Sequence, residues 1–196
     1  MSSAPPRGAP PPPPPHEEEE EDQGASPTER LLAAAKSDNE GMIEEALAEL
    51  KDINVTDGLG NTALHYAIIH ASTNVLETIL CHETCDVDLR NRLQGDTPLH
   101  IAVRNGWEEH EGLRLYLVES LLEAGADTSI KNRYNQRPID LLPPSDPSAD
   151  PGSDDEQVRS ALRRAEAEAM VAASGDVVDE DEDDIIDPDD VASDSD

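Results

Sequence analysis

An all-α fold, a short solenoid of about three to four helix-turn-helix units with hairpin loops between them, is predicted by three observations. First, a Gly-x-Thr-x-Leu-His-x-Ala block occurs twice, as GNTALHYA from Gly60 and as GDTPLHIA from Gly95, with Thr62 and Thr97 35 residues apart. Second, the same period reaches further copies. Leu31 and Ala34 lie 33 residues before Leu64 and Ala67, while Pro138 and Ile139, just after Arg137, match Pro98 and Leu99. Periods of this size mark stacked units that bury a core only together. Third, a chain of 196 residues that is 36% apolar, with no Phe and one Trp, suffices for one small domain plus tails.

The elements follow in order. Residues 1–26 join a polyproline run to HEEEEED, which cannot bury enough apolar surface to fold, so a disordered tail is expected. The repeat domain spans 27–145, divided as 27–57, 58–92, 93–132 and a partial copy at 133–145. In the first unit Ser26 or Thr28 starts an inner helix over Leu31 to Ala35, and the outer helix covers Met42 to Leu50. The second unit is long by two residues, one near 81–85 and one in 91–95, and the third carries about seven extra residues within 107–116. These insertions fall between regular elements, where they are tolerated. Arg137 to Leu142 begins a last inner helix that Pro143 and Pro144 stop. Residues 146–155 read as a linker, 156–173 as a helix rich in Ala and Glu, and 174–196 as a disordered acidic tail with 12 acidic residues and no basic one.

Within each block the chemistry is that of a helix start. Thr62 and Thr97 can accept a hydrogen bond from a free N–H of the first turn, and Pro98 needs no donor there. Gly60 and Gly95 sit at turn positions open to positive φ, where the last copy has Asn135. Leu64, Ala67, Val75, Ile79 and Leu80, and then Leu99, Ala102, Leu117, Leu121 and Leu122, fall at helical spacing and should form the core.

Thr97-Pro98-Leu99-His100 and Glu123-Ala124-Gly125-Ala126-Asp127, at their separation, resemble the two halves of the ankyrin-repeat pattern, and the resemblance covers about residues 27–145. It implies that His65 and His100, with Thr62 and Thr97, are scaffold, their imidazoles bonding backbone around the hairpin and helix start. It also implies that partners are held by hairpin tips and exposed inner-helix positions. At the tips these are Thr56, Gly58 and Leu59, then Arg90, Arg92, Leu93 and Gln94, then Lys131, Arg133, Tyr134 and Gln136. On the inner helices they are Lys36, Ser37, Ile69, His70, Arg104 and Asn105. Arg90, Arg92, Leu93, Arg104, Lys131, Arg133 and Tyr134 form the expected contact set, since Arg and aromatic anchors are typical of binding hot spots. Trp107 is expected to pack against neighbouring helices, and the insert at 108–112 offers an acidic second edge.

Charge and composition bound the function. The net charge is −31, of which residues 27–145 carry −10, so most of the excess lies in the flanks. The expected contact set nevertheless holds half of the repeat domain's ten basic residues. Two cysteines, Cys81 and Cys85, give no disulfide framework and too few ligands for zinc, which points to a reducing cytoplasmic or nuclear compartment. No apolar run suits a membrane span and no signal peptide is seen. No nucleophile with a base, phosphate loop or metal set is present, so neither an enzyme nor a cofactor is expected, and acidic tails disfavour nucleic acid. The chain resembles small fungal ankyrin proteins with acidic tails that escort a ribosomal protein. That resemblance implies a monomeric adaptor or dedicated chaperone for a basic protein partner. The alternative is a proteasome-assembly or other scaffold adaptor whose basic fingers bind an acidic partner. Ser153, Ser193 and Ser195 lie in contexts suited to acidophilic kinases.

Overall fold

The computed structural model describes residues 25–107, 110, 112–145, 150 and 152–174. Among these, seven α-helices and one 3-10 turn are present and no strand: α1 (Pro27–Ser37), α2 (Glu40–Glu49), α3 (Ala63–His70), α4 (Thr73–Leu80), α5 (Pro98–Arg104), α6 (Leu113–Glu123), the turn Pro138–Leu141, and α7 (Asp154–Ser174). Of the expected tails at 1–26 and 174–196, only residues 25, 26 and 174 are described, Ser26 as the cap of α1 and Ser174 as the end of α7; the rest, with Ser193 and Ser195, lies outside the described residues. So do positions 108, 109 and 111 of the acidic insert and most of the 146–151 stretch.

Each unit starts on a side-chain cap. Ser26 Oγ accepts from Glu29 N–H at 3.2 Å while the Glu29 carboxylate takes Ser26 N–H at 2.9 Å, a reciprocal pair that holds two otherwise free helix-start donors. Asn39 Oδ1 caps α2 through Met42 N–H. Thr62 and Thr97 cap α3 and α5. The inner helices α1, α3 and α5 pack side by side, and α2, α4 and α6 lie behind them. Leu31, Leu64 and Leu99 are all buried at the same register position, as are Ala34, Ala67 and Ala102. Small Ala at the second position lets the inner helices approach, and Ile43, Leu76, Ile79, Leu117 and Leu121 fill the layer behind.

Two features depart from simple repetition. The last inner helix is only the 3-10 turn, because Pro143 and Pro144 leave no room to propagate. Beyond it, α7 docks on α6 through buried Val158, Ala161 and Leu162, closing the apolar end of the stack. Arg114 fastens that closure. Its Nε donates to the Val103 carbonyl at 3.0 Å, and its Nη1 pairs with Asp155 at 2.7 Å and Asp154 at 2.9 Å in the first turn of α7. Acidic groups at a helix N-terminus also complement the helix dipole. Arg159 reaches the Pro143 carbonyl, and Arg164 pairs with Glu119 at 3.3 Å.

Candidate functional site

The three hairpin tips are built on a recurring Asp or Asn that lies outside the Gly-x-Thr-x-Leu-His-x-Ala block. Asp57 Oδ1 accepts from Leu59 and Asn61 N–H, Asn91 Oδ1 from Gln94 and Asp96 N–H, and Asn132 Oδ1 from Tyr134 and Gln136 N–H, at 2.9–3.3 Å. A short side chain that bonds its own downstream backbone is what folds such a turn. The signal was legible as an Asp or Asn five or six residues before Thr62, Thr97 and Arg137. Successive tips are then zipped by backbone. Arg92 N–H donates to the Leu59 carbonyl at 2.8 Å, and Arg133 N–H to the Gln94 carbonyl at 2.8 Å.

This crossing explains the two glycines. Gly60 has φ 78°, and a Cβ there would meet Arg92 Cγ at 2.6 Å and Arg92 N at 2.8 Å. Gly95 has φ 68° and faces Arg133 in the same way, at 2.9 and 3.1 Å. Asn135, at φ 60°, needs only the left-handed backbone, since no further finger follows it.

The histidines tie each unit to the next finger. Thr62 N–H donates to His65 Nδ1 at 3.2 Å, so Nδ1 is an acceptor and Nε2 carries the proton to the Asp96 carbonyl at 3.3 Å. His100 repeats this, with Thr97 N–H on Nδ1 at 3.3 Å and Nε2 to the Gln136 carbonyl at 3.0 Å. Burial holds both imidazoles below the ordinary histidine range, the accepting carbonyls notwithstanding. In the last copy Arg137 and Asp140 take the Thr and His places. The Asp140 carboxylate accepts Arg137 N–H at 2.9 Å and pairs with its guanidinium, which pulls the carboxyl below its usual range.

The expected contact residues divide into two groups. Arg104 is a counter-ion: its Nη2 stands 2.6 Å from Oδ2 of Asp96, a fully buried carboxylate whose Oδ1 accepts from Asn132 Nδ2 at 2.9 Å. Oδ2 has no aligned hydrogen-bond donor and is compensated by that guanidinium. Arg90, Arg92, Lys131 and Arg133 are exposed on the finger row, and among the described residues none of them pairs with a carboxylate. Arg90 and Arg133 touch only backbone carbonyls of the neighbouring finger, Lys131 at 3.1 Å and Leu93 at 3.4 Å. Outside the row, Arg30, Arg104, Arg114, Arg137, Arg159 and Arg164 have carboxylate partners, whereas Lys51 and Arg163 have none among the described residues.

Between these cations stand three exposed apolar side chains, one on each finger: Leu59 at 48%, Leu93 at 58% and Tyr134 at 67% exposure. The structure thus brings Arg90, Arg92, Leu93, Lys131, Arg133 and Tyr134 into one row of alternating charge and apolar surface. Tyr66 was not foreseen. Its hydroxyl donates to Asp57 Oδ2 and its ring carries the Lys36 ammonium at 4.0 Å, so Lys36 is partly engaged. Trp107 is half-buried against the core.

Elsewhere the chemistry is sparse. A cleft of about 590 Å³ between the starts of α6 and α7 is lined by Trp107, His110, Arg114, Ser153, Asp154 and Gln157 among others. Burial and Asp86 push the Cys85 thiol up to about 11, away from reactive thiolate, and Cys81 is exposed. Among the described residues no group of three or more His, Cys, Asp or Glu is placed to hold a metal, and no helix is long and apolar enough to cross a membrane.

Known proteins agree with this geometry. An ankyrin repeat-containing protein of Saccharomyces cerevisiae is 39% identical over 129 residues, covering 61% of this chain and 71% of the relative. A poly [ADP-ribose] polymerase tankyrase of Caenorhabditis elegans is 37% identical over 86 residues, which are 44% of this chain and 3% of that enzyme. Protein PhlB of Serratia liquefaciens is 39% identical over 98 residues, 50% of this chain and 40% of PhlB. A family model described as ankyrin repeats in three copies matches residues 31–132, the stretch in which the capped helices, zipped fingers and bridging histidines recur. On that match and on this repeating architecture, the chain belongs to the ankyrin-repeat family and is built as a protein–protein interaction module.

Proposed function

We propose that this chain is a non-catalytic adaptor whose finger row grips an acidic, extended segment of a partner protein. The observation that carries the reading is the row itself: Arg90, Arg92, Lys131 and Arg133 without carboxylate partners, interleaved with exposed Leu59, Leu93 and Tyr134. In a chain with 45 acidic residues against 14 basic, cations left unpaired in one row supply an electrostatic target for a negatively charged segment. Rigid backbone zipping between fingers keeps the ordering cost on the protein side small.

A second reading, a dedicated chaperone for a basic client such as a ribosomal protein, draws on a different observation. The net charge of −31 and the acidic ends could screen a cationic protein and speed its encounter. Two free cysteines fit a reducing cytoplasmic or nuclear setting, and a monomer suits a stack closed at its end by α7.

The test is capture of partners from extract at low and high salt with the wild type and with Arg90→Glu/Arg92→Glu/Arg133→Glu. Loss of acidic partners in the variant supports the adaptor. Unchanged capture of basic clients, together with no acidic partner in either sample, favours the chaperone and rejects the finger reading. Arg104 is left intact, because a carboxylate there would face buried Asp96 and disrupt the finger itself.

A further inference from the structure

Resting on the reading that the finger row takes an acidic segment, we propose that the row is occupied by the chain's own carboxyl-terminal segment, residues 175–196, so that any partner must compete with it. Three observations converge on this occupant. The first is charge. The segment carries 12 acidic residues and no basic one, and the row's four cations have no carboxylate partner among the described residues.

The second is the apolar pattern. The acidic run is interrupted at Val177-Val178, Ile185-Ile186 and Val191. The row presents one exposed apolar side chain on each of three successive fingers, Leu59, Leu93 and Tyr134. Side-by-side helices repeat at about 8–10 Å, so the first and third fingers stand about 20 Å apart. An extended chain covers the seven residues from Val178 to Ile185 in about 23 Å, close to that span. Two aliphatic pairs can therefore meet the two ends of the apolar ladder while the carboxylates between them face Arg90, Arg92 and Arg133. A uniformly charged segment would leave Leu93 and Tyr134 uncovered.

The third is reach. The described chain ends at Ser174, the last residue of α7, and 22 residues follow it. Extended, these span about 70 Å at roughly 3.3 Å per residue, about twice the diameter of a domain of this size. Tethering also holds the segment at about millimolar effective concentration, so even a weak pairing is populated.

The test uses the full chain and a labelled peptide of residues 175–196 added in trans. One protein is the wild type. The other is the full chain with Val177→Ser/Val178→Ser/Ile185→Ser/Ile186→Ser, which keeps the length and charge of its own segment and removes the aliphatic pairs. The peptide should bind this variant about tenfold or more tightly than the wild type, as expected when a tether at about millimolar concentration no longer competes. High salt should weaken the binding, and Arg90→Glu/Arg92→Glu/Arg133→Glu placed in the variant should abolish it. Amide NMR signals of Leu93, Gln94 and Tyr134 should also differ between the wild type and the serine variant.

Equal binding to both proteins that is lost on finger reversal would overturn self-occupancy while leaving the adaptor reading intact. No binding to either would also overturn it, and the partner-capture experiment above would then decide the adaptor reading separately. If the wild type sediments as a concentration-dependent dimer and its resistance to the peptide vanishes on dilution, the occupant is a second copy's segment, and the intramolecular form is wrong.

Discussion

His65 and His100 make the fold sensitive to pH in the histidine range. Each is neutral in the fold, with its pKa held below the unfolded value of 6.5 by burial. The unfolded chain therefore binds more protons as pH falls through that value, so stability present above about pH 6.5 is lost progressively below it. Asp88, raised by burial, titrates in the opposite sense but only in the carboxylate range. Melting temperature should drop between pH 7.5 and 5.5, and His65→Gln/His100→Gln should flatten that slope while lowering stability at neutral pH by about 1–3 kcal/mol per site. A second prediction concerns the fingers: Gly60→Ala and Gly95→Ala should each cost about 1–3 kcal/mol in urea unfolding, from strained φ and collision with the next finger. Asn135→Gly should be near neutral. The Thr and His roles were legible because the repeat itself displays them. Asp96 with Arg104 was not legible, since the pair crosses from a turn to a helix end and neither residue recurs in the other units.

The helices divide in the same way. Inner helices α3 and α5 could be placed from sequence through Thr caps and apolar spacing, whereas the docking of α7 could not. Its apolar stripe is thin, and the residue that fastens it, Arg114, lies in the region of the insertion that broke the period. Leu162→Ala should cost about 2–4 kcal/mol by leaving a cavity against α6. Arg114→Gln should leave α1 to α4 protected in hydrogen exchange and raise exchange across the first turns of α7, because Asp154 and Asp155 lose their shared partner. Uniform loss of protection across α1 to α4 as well would show that α7 is integral to the whole stack instead of a fastened end piece.

At the scale of the whole molecule, a continuous core from Leu31 to Leu162 means that no unit has a private one. Trp107 is the chain's only tryptophan and sits between α5 and α6, so it reports from the last full unit, next to α7. Its fluorescence and the far-ultraviolet circular dichroism should give coincident urea transitions; two separated midpoints would mean that the units unfold piecemeal. Charge shows the same economy. Arg30, Arg114 and Arg164 pair across helices, while among the described residues the finger-row cations, and Arg163 on α7, have no carboxylate partner, a contrast that needed the ion pairs to become visible.

The last copy, with Asn135, Arg137 and Asp140 where earlier units have Gly, Thr and His, makes the stack polar in its capacity to grow. A unit spliced in between the second and third would bring its own glycine and histidine and find a finger waiting on either side. One appended after Pro144 would meet an asparagine where its first finger must cross and no imidazole to donate to its carbonyl, besides displacing α7. Lengthening from within therefore leaves every joint intact, whereas lengthening at the carboxyl end requires Asn135→Gly, Arg137→Thr and Asp140→His together with removal of the Pro143–Pro144 stop and release of α7. The length of this solenoid is thus set at its carboxyl end by those three side chains together with the two prolines and α7.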